Sequence, residues 1–344
     1  MSFFGEVGFL EEVIVFFISK RDFCQQEIQK KEAVIKNLDT HILRMEQAKR
    51  KEKSPTGVPV KALSILCCPN CGASFSMQDV EMDQRFLYKG ALSCKCGYYA
   101  KISSGILMTP NKNQNLQDTR DLTRELYKDL PPDLISMFER SYNWMLEKMN
   151  QVNLHGKVIA ETYINAWFFM HNHLQTLPTD SLYIVIDKYP ETLLMYKHLI
   201  EKQKPELDIL YIADSSTNFP LKAHCIDLHL DFFAANEHNF YHNTFLYERM
   251  TPFLKEHADL IGTYFYFSHA QKSMRSLLSQ YPECSANNFS LSYFKNSLAE
   301  SDFILKDCES LDAVTDSGNN LGFGFHQKGE KMYLMPYYAQ KTGQ

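Results

Sequence analysis

The chain has no long hydrophobic run, no excess of positive charge and no internal repeat. Its most apolar stretch, Val13-Ile14-Val15-Phe16-Phe17-Ile18, follows Glu11 and Glu12 and ends after six residues. A bilayer-spanning helix needs about 20 apolar residues, so this stretch does not cross a membrane. The basic leader and small-residue cleavage site of a secretory signal are also missing, and a cytoplasmic protein is expected. A formal net charge of −5 gives no broad attraction for nucleic acid. The run Lys49-Arg50-Lys51 is the local basic candidate, and it reads more simply as a solvated helix end. His171, His173, His224, His229, His238 and His242 show no ligand spacing, so no second metal is expected from them. No nucleophile–base pair stands out, so no catalytic residue is assigned.

What is present describes an ordinary globular protein. The chain has 344 residues, 44% hydrophobic and 22% charged, enough for two or three domains with a sizeable core. Four segments separate. Residues 1–53 are helical in pattern, with Cys24, Ile28, Ile35, Leu38, Ile42 and Met45 at a and d spacings broken by Lys31. That pattern predicts a short dimerising coiled coil, or a single amphipathic helix lying on its own chain. A Pro/Gly-containing linker occupies residues 54–59. Residues 60–110 are short strands and turns around cysteines. Residues 111–150 form a connector that opens polar and Asn-rich and becomes helical over 133–149. There Leu134, Met137, Phe138, Tyr142, Met145 and Met149 share one side, and Pro131-Pro132 marks the start. From Lys157 to the end of the 151–344 segment, apolar strand-like runs alternate with helix-like stretches. Runs at 158–160, 182–186, 209–213, 225–230 and 260–267 predict an α/β domain with a doubly wound, mostly parallel sheet.

Five of the nine cysteines crowd between Cys67 and Cys96, a clustering that points to metal and not to a disulfide framework. Cys68-Pro69-Asn70-Cys71-Gly72 and Cys94-Lys95-Cys96-Gly97 supply two pairs of thiols. Four thiolates satisfy tetrahedral zinc and let a small domain close with little core. The glycine after each pair allows the positive φ by which backbone amides approach sulfur. Cys67 adjoins the first pair and competes with Cys68 for the role of ligand. Two-residue spacing favours Cys68. The segment from Ala91-Leu-Ser-Cys94 to Ser104-Gly105-Ile106-Leu107 resembles the zinc ribbons that precede the catalytic domain in bacterial rRNA guanine methyltransferases. That resemblance implies RNA as a candidate partner; a purely structural clip is the alternative.

The order of pieces over residues 151–340 resembles the class I S-adenosylmethionine methyltransferases. Leu154-His-Gly156-Lys-Val158-Ile-Ala-Glu161 is similar to their first strand with its terminal acid. Asp187, in Ile184-Val-Ile-Asp187-Lys-Tyr-Pro190, stands where the family has a ribose-binding acid. Asp214, in Tyr211-Ile-Ala-Asp214, falls at the adenine-contacting acid, followed by Asn218-Phe219-Pro220-Leu221. Ile226-Asp227-Leu228-His229-Leu230 and Leu260-Ile-Gly262-Thr-Tyr264-Phe-Tyr-Phe267 match the fourth and fifth strands. The resemblance implies a Rossmann-like fold and a cofactor set of Glu161, Tyr163, Asn165, Trp167, Asp187 and Asp214. Yet Tyr163, Asn165 and Trp167 stand where the family carries three glycines. A glycine turn lets backbone touch the cofactor with no Cβ between them. The aromatic replacements are expected to occupy the volume of methionine and ribose, unless the loop has moved. As residues in their own right, Asp187 and Asp214 could instead cap the helices that follow them.

Phe4-Gly5-Glu-Val-Gly8-Phe9-Leu10-Glu11-Glu12-Val13 and the heptads after it resemble, over about 50 residues, the dimerisation segment of MerR transcription regulators. The winged helix of that family is not in the sequence, so the resemblance implies dimerisation and leaves DNA binding to a partner. The leading expectation is a degenerate methyltransferase-like protein with a sensing, scaffolding or regulatory role, one structural zinc and a homodimer contact. A small-molecule ligand is expected, and S-adenosylmethionine is placed in doubt. The rivals are an active methyltransferase on RNA or a small molecule, and a MerR-like regulator without its DNA reader.

Overall fold

The computed structural model describes residues 3–51, 56–114, 118–123, 128–268, 271–285, 287–318 and 321–343. Two units separate, Met1–Lys53 and Ser54–Gln344. The first is one helix, α1 (Phe3–Lys51). Its expected seam residues Cys24, Ile28, Ile35, Leu38 and Ile42 are exposed, whereas the side chain of Met45 lies outside the described residues. Among the described residues no helix is long and apolar enough to cross a membrane. The expected linker at 54–59 lies partly outside the described residues.

The second unit is built on one 12-stranded sheet. Its centre is parallel: β6 (Val158–Thr162), β7 (Leu182–Asp187), β8 (Asp208–Ala213), β9 (Ile226–Phe232) and β10 (Leu254–Ser268). Every residue of β7 is buried, because both faces of a parallel sheet are covered and its strands read as unbroken apolar runs. From β6 the chain winds outward through β7 to β8. It then returns to β6's other side for β9 and β10. The order therefore reverses between β6 and β9, the point at which doubly wound sheets hold ligands beyond their carboxyl ends. After β10 the sheet closes with β11 (Phe303–Cys308) and β12 (Lys331–Lys341). β12 is inserted antiparallel between β10 and β11. The α/β fold with a mostly parallel centre to its sheet, and the helix ahead of it, are as the sequence predicts; the outer strands on both sides are antiparallel.

The cysteine-bearing segment is joined to this sheet. β1 (Val58–Pro59), β2 (Ser76–Met82), β3 (Phe86–Ser93), β4 (Tyr99–Ser103) and β5 (Ile106–Met108) pair antiparallel. β5 then lies parallel against β8, with Ile106 opposite Tyr211.

Two apolar layers flank the sheet. One gathers Leu210, Leu246, Phe294 and Tyr337. The other gathers α2 (Pro132–Gln151) through Leu134, Met137, Phe138, Met145 and Met149, with Tyr183, Val185 and Leu230. These are the positions at which the 3.6-residue period of α2 repeats, and Pro132 starts the helix where its missing N–H costs nothing. α3 (Pro190–Gln203) follows β7. In the first layer Gly262 sits opposite Tyr337, and a Cβ there would lie 2.6 Å from the tyrosine ring. The gap lets the Tyr337 hydroxyl cross β10 and donate to Asp231 at 2.7 Å, beside Tyr247 at 2.6 Å.

Candidate functional site

The switch point is formed by the turn after β6 and by the ends of β7, β8 and β9. Tyr163, the first residue past β6, has φ +58. This left-handed backbone is what a glycine adopts freely and what costs another residue about 1–3 kcal/mol. The turn therefore takes a glycine-type conformation while carrying a phenol. The Tyr163 amide donates to the Ile186 carbonyl at 2.9 Å, which fixes the turn against β7. Its hydroxyl meets Nδ1 of His238 at 2.6 Å, and Nε2 of the same ring meets the Thr244 carbonyl at 3.0 Å. A carbonyl only accepts, so the proton sits on Nε2 and Tyr163 donates to Nδ1. Burial of His238, on α4 (Ala234–Tyr241), pushes its pKa down to about 3, so the ring is neutral at physiological pH.

The three acids each have partners within their own chain. Glu161 accepts from the amides of Phe169 at 2.5 Å and Met170 at 2.9 Å, capping the short turn that begins there. Burial raises its carboxyl to about 8, although the amides oppose this. Asp187 accepts from the Asn165 amide at 2.8 Å and the Tyr189 amide at 2.9 Å, one on each oxygen. Burial likewise raises it, to about 7. Asp214 accepts from the Ser216 amide at 2.6 Å, from the Thr109 hydroxyl at 2.5 Å and from Asn111 at 3.0 Å. Ribose or adenine would have to displace these bonds. The space between Thr162, Tyr163, Asp187, Asp214 and Phe219 is about 10 Å³, no more than a single water needs. Of the expected S-adenosylmethionine set, Tyr163, Asp187 and Asp214 are brought together at the switch point, where the space they leave does not fit the cofactor, whereas Glu161 and Trp167 face elsewhere.

Trp167 and Tyr163 part company. Trp167 turns to the α2 side of the sheet, where its ring centroid lies 6.3 Å from Tyr142 and 5.5 Å from Phe232. Asn165 accepts from the Asp121 amide at 3.0 Å and from Thr192 at 3.2 Å, which ties the connector to α3.

Sequence reasoning missed Lys188. Its side chain is 5% exposed, and its ammonium bridges Asp118 and Glu237, the latter at 2.6 Å. It also lies 5.9, 5.5 and 5.0 Å from the rings of Tyr163, Tyr189 and Tyr241. Burial opposes the charge, but the two carboxylates outweigh it and hold the pKa above that of a free lysine. The Lys188–Asp118 contact spans 70 residues and falls in a connector that reads only as polar. No sequence signal marks it.

Next to this cluster lies a cavity of about 370 Å³, bounded by Asn165, Ala166, Phe240, Tyr241, Phe289 and Phe323 among others.

The thiols of Cys68, Cys71, Cys94 and Cys96 form a second site, all within 4.8 Å of one another. Cys68 and Cys96 are 3.4 Å apart, as are Cys71 and Cys94. Tetrahedral zinc with bonds of about 2.3 Å places its sulfurs roughly 3.8 Å apart, so the set fits a metal of this kind. Gly72 and Gly97 take φ +73 and +94 and turn their amides to the carbonyls of Cys68 and Cys94. Cys67 stands outside the group, with its amide on the Pro220 carbonyl at 3.2 Å.

No family model and no curated protein matches the chain. Among solved structures it is similar to an MccD protein, with 12% identity over 59% of this chain and 97% of that one and a TM-score of 0.48. A putative methyltransferase from Bacillus halodurans shares 10% over 58% and 99%, at 0.44. Geranyl diphosphate C-methyltransferase from Streptomyces coelicolor A3(2), in complex with Mg2+, geranyl diphosphate and S-adenosyl-L-homocysteine, shares 10% over 61% and 82%, at 0.45. The strand order, not these likenesses, establishes the fold.

Proposed function

We propose that this chain is a methyltransferase-fold protein that no longer uses S-adenosylmethionine and acts in sensing, scaffolding or regulation. The observation that carries this reading is Tyr163. A phenol stands in a glycine-type turn, hydrogen-bonded to His238, with about 10 Å³ left between it and Asp187. In the same reading Cys68, Cys71, Cys94 and Cys96 hold one structural zinc, since four thiolates leave no coordination position open. The exposed apolar positions of α1 serve as a contact for a second copy.

Calorimetric titration of the full chain with S-adenosylmethionine tests the first claim. Silence up to about millimolar ligand is expected, and saturable binding in the micromolar range would overturn it. The alternative of an active methyltransferase has the cavity beside Asn165 in its favour, since a substrate could enter there. Against it stands the space of about 10 Å³ left beside Tyr163 and Asp187.

A further inference from the structure

The cavity next to the Lys188 cluster carries an inference that rests on the sensing reading and names the class of ligand. Its volume of about 370 Å³ is at the small end of sites for small molecules, which run from about 300 to 1,000 Å³. Its walls are largely rings, among them Phe240, Tyr241, Tyr281, Phe289 and Phe323. A ring is negative on its face and positive at its edge, so ring faces turned to the cavity favour a positive ligand.

The charge is equally one-sided. Among the described residues, Asp118 and Glu237 are the only charged side chains on the lining. Both pair with Lys188, which is not on the lining, so two carboxylates share one ammonium. One negative charge is left over at the wall. An anion would be repelled there, and a neutral ligand would leave the excess uncompensated. A cation answers both the rings and the charge.

The protein already binds one cation in this way. The Lys188 ammonium sits within 6 Å of three tyrosine rings and against two carboxylates. Tyr241, Glu237 and Asp118 belong both to that internal cage and to the cavity.

We propose that the cavity is a binding site for a small organic ammonium ion, methylated or quaternary, carried on an apolar body. The test is calorimetric titration of the full chain with 4-hydroxyphenyltrimethylammonium and with its neutral isostere 4-tert-butylphenol. The cation is expected to bind at least about tenfold more tightly. Glu237→Gln should remove most of that preference and leave the neutral phenol's affinity unchanged. Phe240→Leu keeps an apolar side chain but loses a ring face, and should weaken the cation more than the phenol; it serves if the Glu237 variant fails to fold. Equal binding of the two probes, or no heat from the cation at about 10 mM, would overturn the proposal. Failure here is distinct from failure of the wider reading, which falls only if S-adenosylmethionine itself binds.

Discussion

The hydroxyl of Tyr163 donates to Nδ1 of His238 at 2.6 Å, joining the turn after the first parallel strand to a helix 75 residues further on. Removal of that hydroxyl by Tyr163→Phe leaves a buried acceptor without its donor, at a cost of about 1–3 kcal/mol. Tyr163→Gly relieves about 1–3 kcal/mol of backbone strain but empties a ring-sized space worth about 3–5 kcal/mol. The glycine variant is therefore expected to be net destabilised. Urea denaturation should rank wild type above both variants, and a more stable glycine variant would contradict the packing role given to the ring.

Stability should depend on pH in two opposed ways. Burial depresses His229 and His238 to about 3 from an ordinary 6.5. Their contribution is full above pH 6.5 and is lost as pH falls toward 3. Glu161 and Asp187 are raised to about 8 and about 7 from 4.5 and 3.8. Theirs is full below the ordinary carboxyl range and is lost as pH rises through 7 to 8. The two pairs offset one another between about pH 4.5 and 6.5, so a plateau with a fall on either side is expected. Denaturation midpoints measured from about pH 3.5 to 9 would reveal it. A monotonic rise to the alkaline end would rule it out.

Lys188→Met should cost about 3–5 kcal/mol, because it leaves the buried Asp118 and the half-buried Glu237 without their shared counter-charge. The triple replacement Asp118→Asn, Lys188→Met and Glu237→Gln removes all three charges together and should cost much less than the sum of its parts. Additive losses in a denaturation cycle would mean that the three do not act as one unit.

Metal analysis should find about one zinc per chain, and Cys68→Ser or Cys94→Ser should abolish it. Structural zinc contributes directly to folding, so a chelator should lower the melting temperature of the full chain. Full-length protein without metal and with an unshifted melt would remove the zinc assignment.

Deletion of residues 1–53 tests the self-association assigned to α1. Analytical ultracentrifugation should give a dimer for the full chain and a monomer for the shortened one. Identical oligomeric states would discard that role.

The five central strands are legible in sequence because both their faces are covered. Leu182 to Asp187 reads as an apolar run ending in an acid, and becomes a fully buried strand. β10 is longer than its apolar core suggests. It begins at Leu254, and the Lys255-Glu256-His257 stretch interrupts the pattern where its register with β9 shifts. β2 is exposed along its whole length, so no alternation announces it. Around the candidate site the acids are visible as strand-terminal residues. Their partners are not, because hydrogen bonds from the amides of Asn165, Phe169 and Ser216 depend on loop paths that composition does not encode. Lys188 escapes for a related reason, since its carboxylates come from residues 118 and 237.

The pairing of β5 with β8 reaches beyond the placement of the cysteines. β8 is the last of the five central strands on its side, rich in Ile, Leu and Tyr, and bare it would present a row of open amides and carbonyls to any other chain. The cysteine-bearing meander covers that margin and ends the sheet in short, twisted hairpins. If the four thiols hold zinc as proposed, removing the metal is expected to loosen that cover and leave a sticky flank, with self-aggregation through strand addition as the first symptom.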